Sequence, residues 1–333
     1  MVHPMNQFKL LLASVALAAS GLASAQQTLL NVSYDVAREF YKDVNAAFVP
    51  WYKKTAGKDV KVEQAHGGSS AQARAVADGL DADVVTMNTT TDIEFLAEKG
   101  VVAKDWAKRF PHNAAPTTST MLFLVRNGNP KGIKDWDDLL KPDVKVVVVN
   151  PKTGGNGRYA YLAAWGYVKK KGGTDAQAAD FVAKLYKNVP VLARGGRDAT
   201  TAFLQRNIGD ALVTFESEVE SVNREFGDAK VDVVYPSTSI VAENPVAVVE
   251  RTVAKKGTAD LAKAYLDFLY TPEGQEIAAK HNIRPTDPAV LKKHTKFKPI
   301  KLFTVQELFG SLSEAQKVHF NDGGQFDKIY TVK

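Results

Sequence analysis

Glycine, serine and arginine gather at four points where a β-branched run gives way to a helix-like stretch. The four are LLNVSYDVAREFYKDVNAAF, VKVEQAHGGSSAQARAVADGL, VKVVVVNPKTGGNGRYAYLAAWGYVKK and VPVLARGGRDATTAFLQRNIGD. A strand-to-helix turn leaves the first N–H groups of the helix without intrahelical acceptors, and the helix dipole adds roughly half a positive charge there. Such an end is a seat for an anion, and several around one cleft would make an oxyanion receptor.

Each turn brings its own side chains. Asp35 stands where it would cap the N–H groups two or three residues on, so its backbone N–H is the useful donor toward an anion. In His66-Gly67-Gly68-Ser69-Ser70 the glycines let the backbone come close to a guest, and either serine could cap the following helix or donate its hydroxyl. Lys152-Thr153-Gly154-Gly155-Asn156-Gly157-Arg158 is the richest in glycine, yet it lacks the spacing and the Lys-Ser/Thr pair of a nucleotide P-loop. Arg194-Gly195-Gly196-Arg197-Asp198 adds two guanidinium groups, which would face the guest, pair with Asp35 or cap a helix. Phe215, after the apolar run DALVT, would line the cleft or close the core.

Three or four helix ends offer about +1.5 to +2 of charge without an ionisable side chain, which suits a small dianion. A donor-lined seat also selects. Fully ionised sulfate needs donors only, whereas phosphate near neutral pH carries a proton that needs an acceptor, and that mismatch can discriminate by about 10⁴.

Catalysis has little to stand on. The six histidines show no metal-ligand spacing, there is no G-x-S-x-G elbow, and the absence of cysteine removes any thiol nucleophile. Asp137-Asp138 reads as a helix start, and Tyr161, Trp165 and Tyr167, at helical spacing, read as core. No cofactor, metal or catalytic residue is expected. Nucleic acid is a poor partner, because Lys and Arg are interleaved with Asp and Glu and form no basic stripe carrying aromatics.

The elements that must hold the turns alternate strand and helix from Leu29 onward, which predicts an α/β build with mainly parallel strands. At 333 residues, 45% hydrophobic and 24% charged, the chain suits two globular lobes. MLFLVRNGNP and SIVAENPVAVVERT read as extended crossings, giving a discontinuous first lobe, 26–115 plus 246–333, and a second lobe, 116–245, with the ligand between them. Residues 1–25 carry Lys9, an apolar run from Leu10 to Ala19 and a closing Ala23-Ser24-Ala25, the pattern of a secretory signal peptide. Its removal would take one basic and no acidic residue from a formal charge of +6. A soluble, exported monomer is expected.

Over essentially the whole mature chain the sequence resembles the periplasmic sulfate- and thiosulfate-binding proteins of ABC importers. The stretches that carry the likeness include NVSYDVARE, HGGSSAQA, FLVRNGNPKGIKDWDDLLKPDV, NPKTGGNGRYAYLAAWGY, GGRDATTAF, GDALVTFESEV and LYTPEGQEIAAKHNIRP. The resemblance implies a periplasmic binding protein of type II-like fold that hands sulfate or thiosulfate to a membrane permease. It also implies backbone donors at Asp35, Ser69, Gly155, Asn156 and Gly196. The sulfate branch has a serine hydroxyl where this chain has Gly154 and an indole where it has Phe215, so both side-chain donors are missing, with Thr153 adjacent to the first. SYDVARE, GGNGRY, FESEV and the phenylalanine are closer to the thiosulfate branch. The alternatives are a receptor for molybdate or phosphate, or an exported ester hydrolase.

Overall fold

The computed structural model describes residues 26–227 and 231–330, and the expected signal peptide lies outside them. The first of two sheets is built from β1 (Gln27–Tyr34), β2 (Val60–Gly67), β3 (Val84–Thr86) and β10 (Val246–Val248) in the order β10-β3-β1-β2. β1 runs parallel to β2 and β3, and β10 closes the edge antiparallel.

The second sheet holds β4 (Thr117–Arg126), β5 (Val146–Val149), β6 (Leu192–Ala193), β7 (Ala211–Phe215), β9 (Thr238–Asn244) and β12 (Lys301–Phe303) in the order β12-β9-β4-β7-β5-β6. β8 (Val231–Val234) and β11 (Arg284–Pro285) also pair with β4. β5, β6 and β7 are parallel, while β4 is antiparallel to β7 and β9, so this sheet is mixed and not mainly parallel.

Alternation along the central strands explains the layers. Met121, Phe123 and Val125 face one core with Val146 and Val148, whereas Leu122 and Leu124 face a second with Val147 and Val149. Helices cover both faces, which is why VVVV carries no polar residue. The first sheet has its own core, drawn from residues between Leu29 and Ala114 and between Val246 and Ile283.

The C-terminal end departs from expectation. Residues 246–283 pack with the first lobe, but Phe303, Val305, Leu312, Phe320 and Phe326 join the core of the second. β12 extends the second sheet beside β9, and the Phe303 ring lies over Gly166, where an added Cβ would be 2.1 Å from Phe303 Cζ. The chain therefore crosses between lobes three times. A three-residue strand is too short to show as a pattern in the sequence.

The expected crossings are also strands. β4 is the central strand of the second sheet, and its start pairs with the end of β9, Thr117 opposite Asn244. Pro245 separates β9 from β10, so the first two crossings run side by side. Thr271 accepts from the Gly274 N–H at 3.2 Å, with Pro272 opening the last long helix, as a Thr-Pro break requires.

Candidate functional site

All four turns open onto one cleft of about 480 Å³ between the lobes. The first lobe contributes Tyr34 at the end of β1, Gly67–Ala71 after β2, Arg74, and Asn88 and Thr89 after β3. The second contributes Thr153–Asn156 and Arg158 after β5, Arg194–Asp198 after β6, and Phe215, Ser217 and Glu218 after β7. Ser119 on β4 and Asn244 on β9 complete the wall where the crossings pass. Asp35 opens the 3-10 turn Asp35–Ala37 directly after Tyr34.

Three of the helices that end here share one feature. The N-cap residues of Ser69–Ala77, Gly155–Lys170 and Gly196–Leu204 are Gly68, Gly154 and Gly195, all extended, and none supplies a side-chain acceptor. Five helices away from the cleft are instead closed by Thr174, Thr271, Asp287, Thr304 and Ser311, each accepting from its own first turn, while those capped by Val249, Thr258 and Gly324 have no side-chain acceptor. Glycine caps leave the first N–H groups at the cleft open, so the local positive potential there faces the cavity.

The glycines also fit by shape. A Cβ on Gly155 would meet nothing within 4 Å, so that backbone faces open space. On Gly154 a Cβ would be 2.9 Å from Val149 Cγ1, and on Gly157 it would be 2.4 Å from the Val149 carbonyl oxygen. The helix thus sits hard against the end of β5, and its tip is fixed by the sheet.

Most side-chain hydroxyls at the rim are committed elsewhere. Ser69 Oγ donates to Asp92 Oδ2 at 2.5 Å, leaving its backbone N–H as the free donor. Burial raises the Asp92 carboxyl above its usual range, while the Ser69 and Ser70 hydroxyls and the Arg158 and Arg74 charges pull it back. Thr153 Oγ1 lies 3.1 Å from the Arg194 carbonyl oxygen and 3.2 Å from that of Asn150, tying the third turn to the fourth. That bond directs the Thr153 proton to backbone and not to a guest.

Asn156 donates through Nδ2 to Thr214 Oγ1 at 3.1 Å, which orients the helix tip over β7. Phe215 packs edge-on against Tyr159, 5.7 Å between centroids, and gives the cleft an apolar wall. Arg194 and Arg197 line the fourth turn, and Asp198 accepts from the Arg194 N–H at 3.0 Å.

Several lining groups were not singled out as site residues in the sequence. Tyr34, Arg74, Ser119, Asn244 and Glu218 come from strands and helices far apart in the chain, and only the fold brings them together. Glu218 is the notable one, because burial pushes its carboxyl up to about 7, against the pull of Arg197.

Two α/β lobes sharing a cleft lined with open helix ends define the architecture of a receptor for a small solute. Among the described residues no cluster of three or more acidic or histidine side chains could hold a metal ion. The chain belongs to the bacterial extracellular solute-binding protein family, whose model matches residues 30–284. It is 55% identical to the thiosulfate-binding protein of Pseudomonas aeruginosa, over 97% of this chain and 98% of that one. It is 50% identical to the sulfate-binding protein of Escherichia coli, over 94% and 96% of the two chains. Among solved structures, the sulfate-binding protein SubI from Mycobacterium tuberculosis superposes with a TM-score of 0.77 at 33% identity, covering 89% of this chain and all of that one. A Bordetella ferric binding protein shares the fold at a TM-score of 0.59 and 18% identity.

Proposed function

We propose that this protein captures sulfate or thiosulfate outside the cytoplasm and delivers it to the membrane permease of an ABC importer. In this reading the N–H groups of Asp35, Ser69, Gly155, Asn156 and Gly196 hold the anion, Gly154 gives them close approach, Arg197 adds charge at the rim, and Phe215 walls one side. The observation that carries it is the convergence of glycine-capped helix ends from both lobes on one cleft. The names of the relatives at 50% identity and above fit the same reading. An apolar wall at Phe215 suits thiosulfate, whose terminal sulfur is a larger and poorer acceptor than oxygen, so the site would take both anions.

The protein would act as a periplasmic monomer, with no nucleic acid partner. Lobe closure over the anion would create the face that the permease reads. Calorimetric titration with sulfate, thiosulfate, phosphate and molybdate tests the assignment. Saturable binding of sulfate or thiosulfate is expected, and strong phosphate binding without either would end it.

A further inference from the structure

A second space lies between the lobes and shares no lining residue with the cleft. It is a cavity of about 190 Å³ with Glu94 and Trp106 on the first lobe's side and Tyr159 and Glu243 on the second's. Glu94 belongs to the helix Thr90–Glu98, Tyr159 to the helix Gly155–Lys170, and Glu243 to β9. Residues that follow the third crossing, from Thr304 to Leu312, close the wall.

The polar groups of this cavity are unmatched. Among the described residues the Glu94 carboxylate has no hydrogen bond or ion pair, and Glu243 has only the Asn113 amide, 3.2 Å from its Oε1. No Lys, Arg or His is among the lining residues, in a chain with a formal charge of +6. Burial raises both carboxyls, and no cation of the protein pulls either back. Tyr159 is 2% exposed and Trp106 8%, and among the described residues no hydrogen bond satisfies the Tyr159 hydroxyl or the Trp106 indole N–H. Glu243 and then Glu94 are the charges that the Tyr159 hydroxyl feels most, which sets it on the cavity side.

We propose that this cavity binds a small organic ammonium ion, held by Glu94, Glu243 and the Tyr159 hydroxyl and seated against the Trp106 ring. Carboxylates withdrawn from water without a partner are costly, and a cation placed between them offsets that cost. An ammonium head has three N–H donors, enough for both carboxylates and the Tyr159 oxygen. Aromatic walls attract an organic cation through their ring faces, and Val241, Val305 and Leu312 would take its alkyl part. A metal ion fits less well, because among the described residues no three acidic or histidine side chains come together. The assignment does not depend on the oxyanion reading.

Calorimetric titration of the mature protein at pH 8 with ethylammonium, butylammonium and 1,4-diaminobutane chlorides tests it. At least one amine should bind saturably with a Kd of about 1 mM or tighter. Butanol, the neutral counterpart of butylammonium, should bind about tenfold more weakly or worse. Glu94→Gln and Glu243→Gln in one chain keep the shape and remove the charge, so this variant should melt no lower than the parent and lose about tenfold or more in amine affinity. Tyr159→Phe keeps the ring against Phe215 and should weaken amine binding about three- to tenfold. If the double variant fails to fold, the butanol comparison and Tyr159→Phe decide. The proposal is overturned if no amine binds saturably, if butanol binds as well as butylammonium, or if the variants bind like the parent. Calcium chloride binding in place of the amines, or a lysine-containing peptide binding more tightly than the free amines, would overturn it too.

Discussion

Gly155 offers the cleanest test of the proposed site, because a side chain there would enter the cleft without touching the rest of the fold. Open space beyond its Cβ position means that Gly155→Asp meets no protein atom at its first carbon, while the carboxylate would enter the cleft. Calorimetry should show anion binding lost, and thermal unfolding should stay within about 1 kcal/mol of the parent. Phe215→Trp makes the opposite change. An indole N–H at the end of β7 supplies a donor to a charged oxygen, worth about 1.5 to 3 kcal/mol, so sulfate affinity should rise roughly tenfold or more relative to thiosulfate. Equal gains for both anions would mean that the residue does not face the guest.

At the scale of elements, two contacts hold the cleft's framework. Glu216, directly after β7, receives Arg284 of β11 in a two-pronged ion pair at 2.7 and 2.8 Å, and its backbone carbonyl accepts from Asn282. Both partners are buried where the last crossing leaves the first lobe. Removing one partner leaves a buried charge, so Glu216→Ala should lower unfolding free energy by about 3 to 5 kcal/mol in urea titrations. The second contact ties β12 to the helix Gly155–Lys170. Gly166→Ala would drive a Cβ into the Phe303 ring, costing about 1 to 3 kcal/mol, and Phe303→Leu in the same chain should recover part of it. Additive losses in the double variant would show that the two residues do not meet.

The whole molecule has two sheets, each with its own core, joined by three connections, an arrangement that would let the lobes close over a guest. A guest held by donors from both lobes binds the closed form better, so it shifts the population toward closure. Small-angle scattering should report a smaller radius of gyration on adding sulfate or thiosulfate. Saturation at about a hundred times Kd should stabilise the fold by about 2.7 kcal/mol. An unchanged radius with full stabilisation would indicate a cleft already closed without its anion. β4 pairs with β9 beside the cleft, so the proposed bending would fall at Pro116, at Pro245 and in the connection 286–300.

The sequence alone determined the four turns, because strand and helix periods and the glycines between them are local properties. It also determined the Thr-Pro break, the two-lobed α/β class and the family likeness, which are read from short stretches one after another along the chain. Tertiary structure decided what lies between those turns. The reversal of β4 within the second sheet, the passage of 301–329 to the second lobe, and the presence of Glu218 beside Gly196 depend on pairings between distant residues. Helix tips announce themselves because each is made by a few consecutive residues. A buried carboxyl acquires its chemistry from the neighbours that folding gives it, and no run of sequence spells those out.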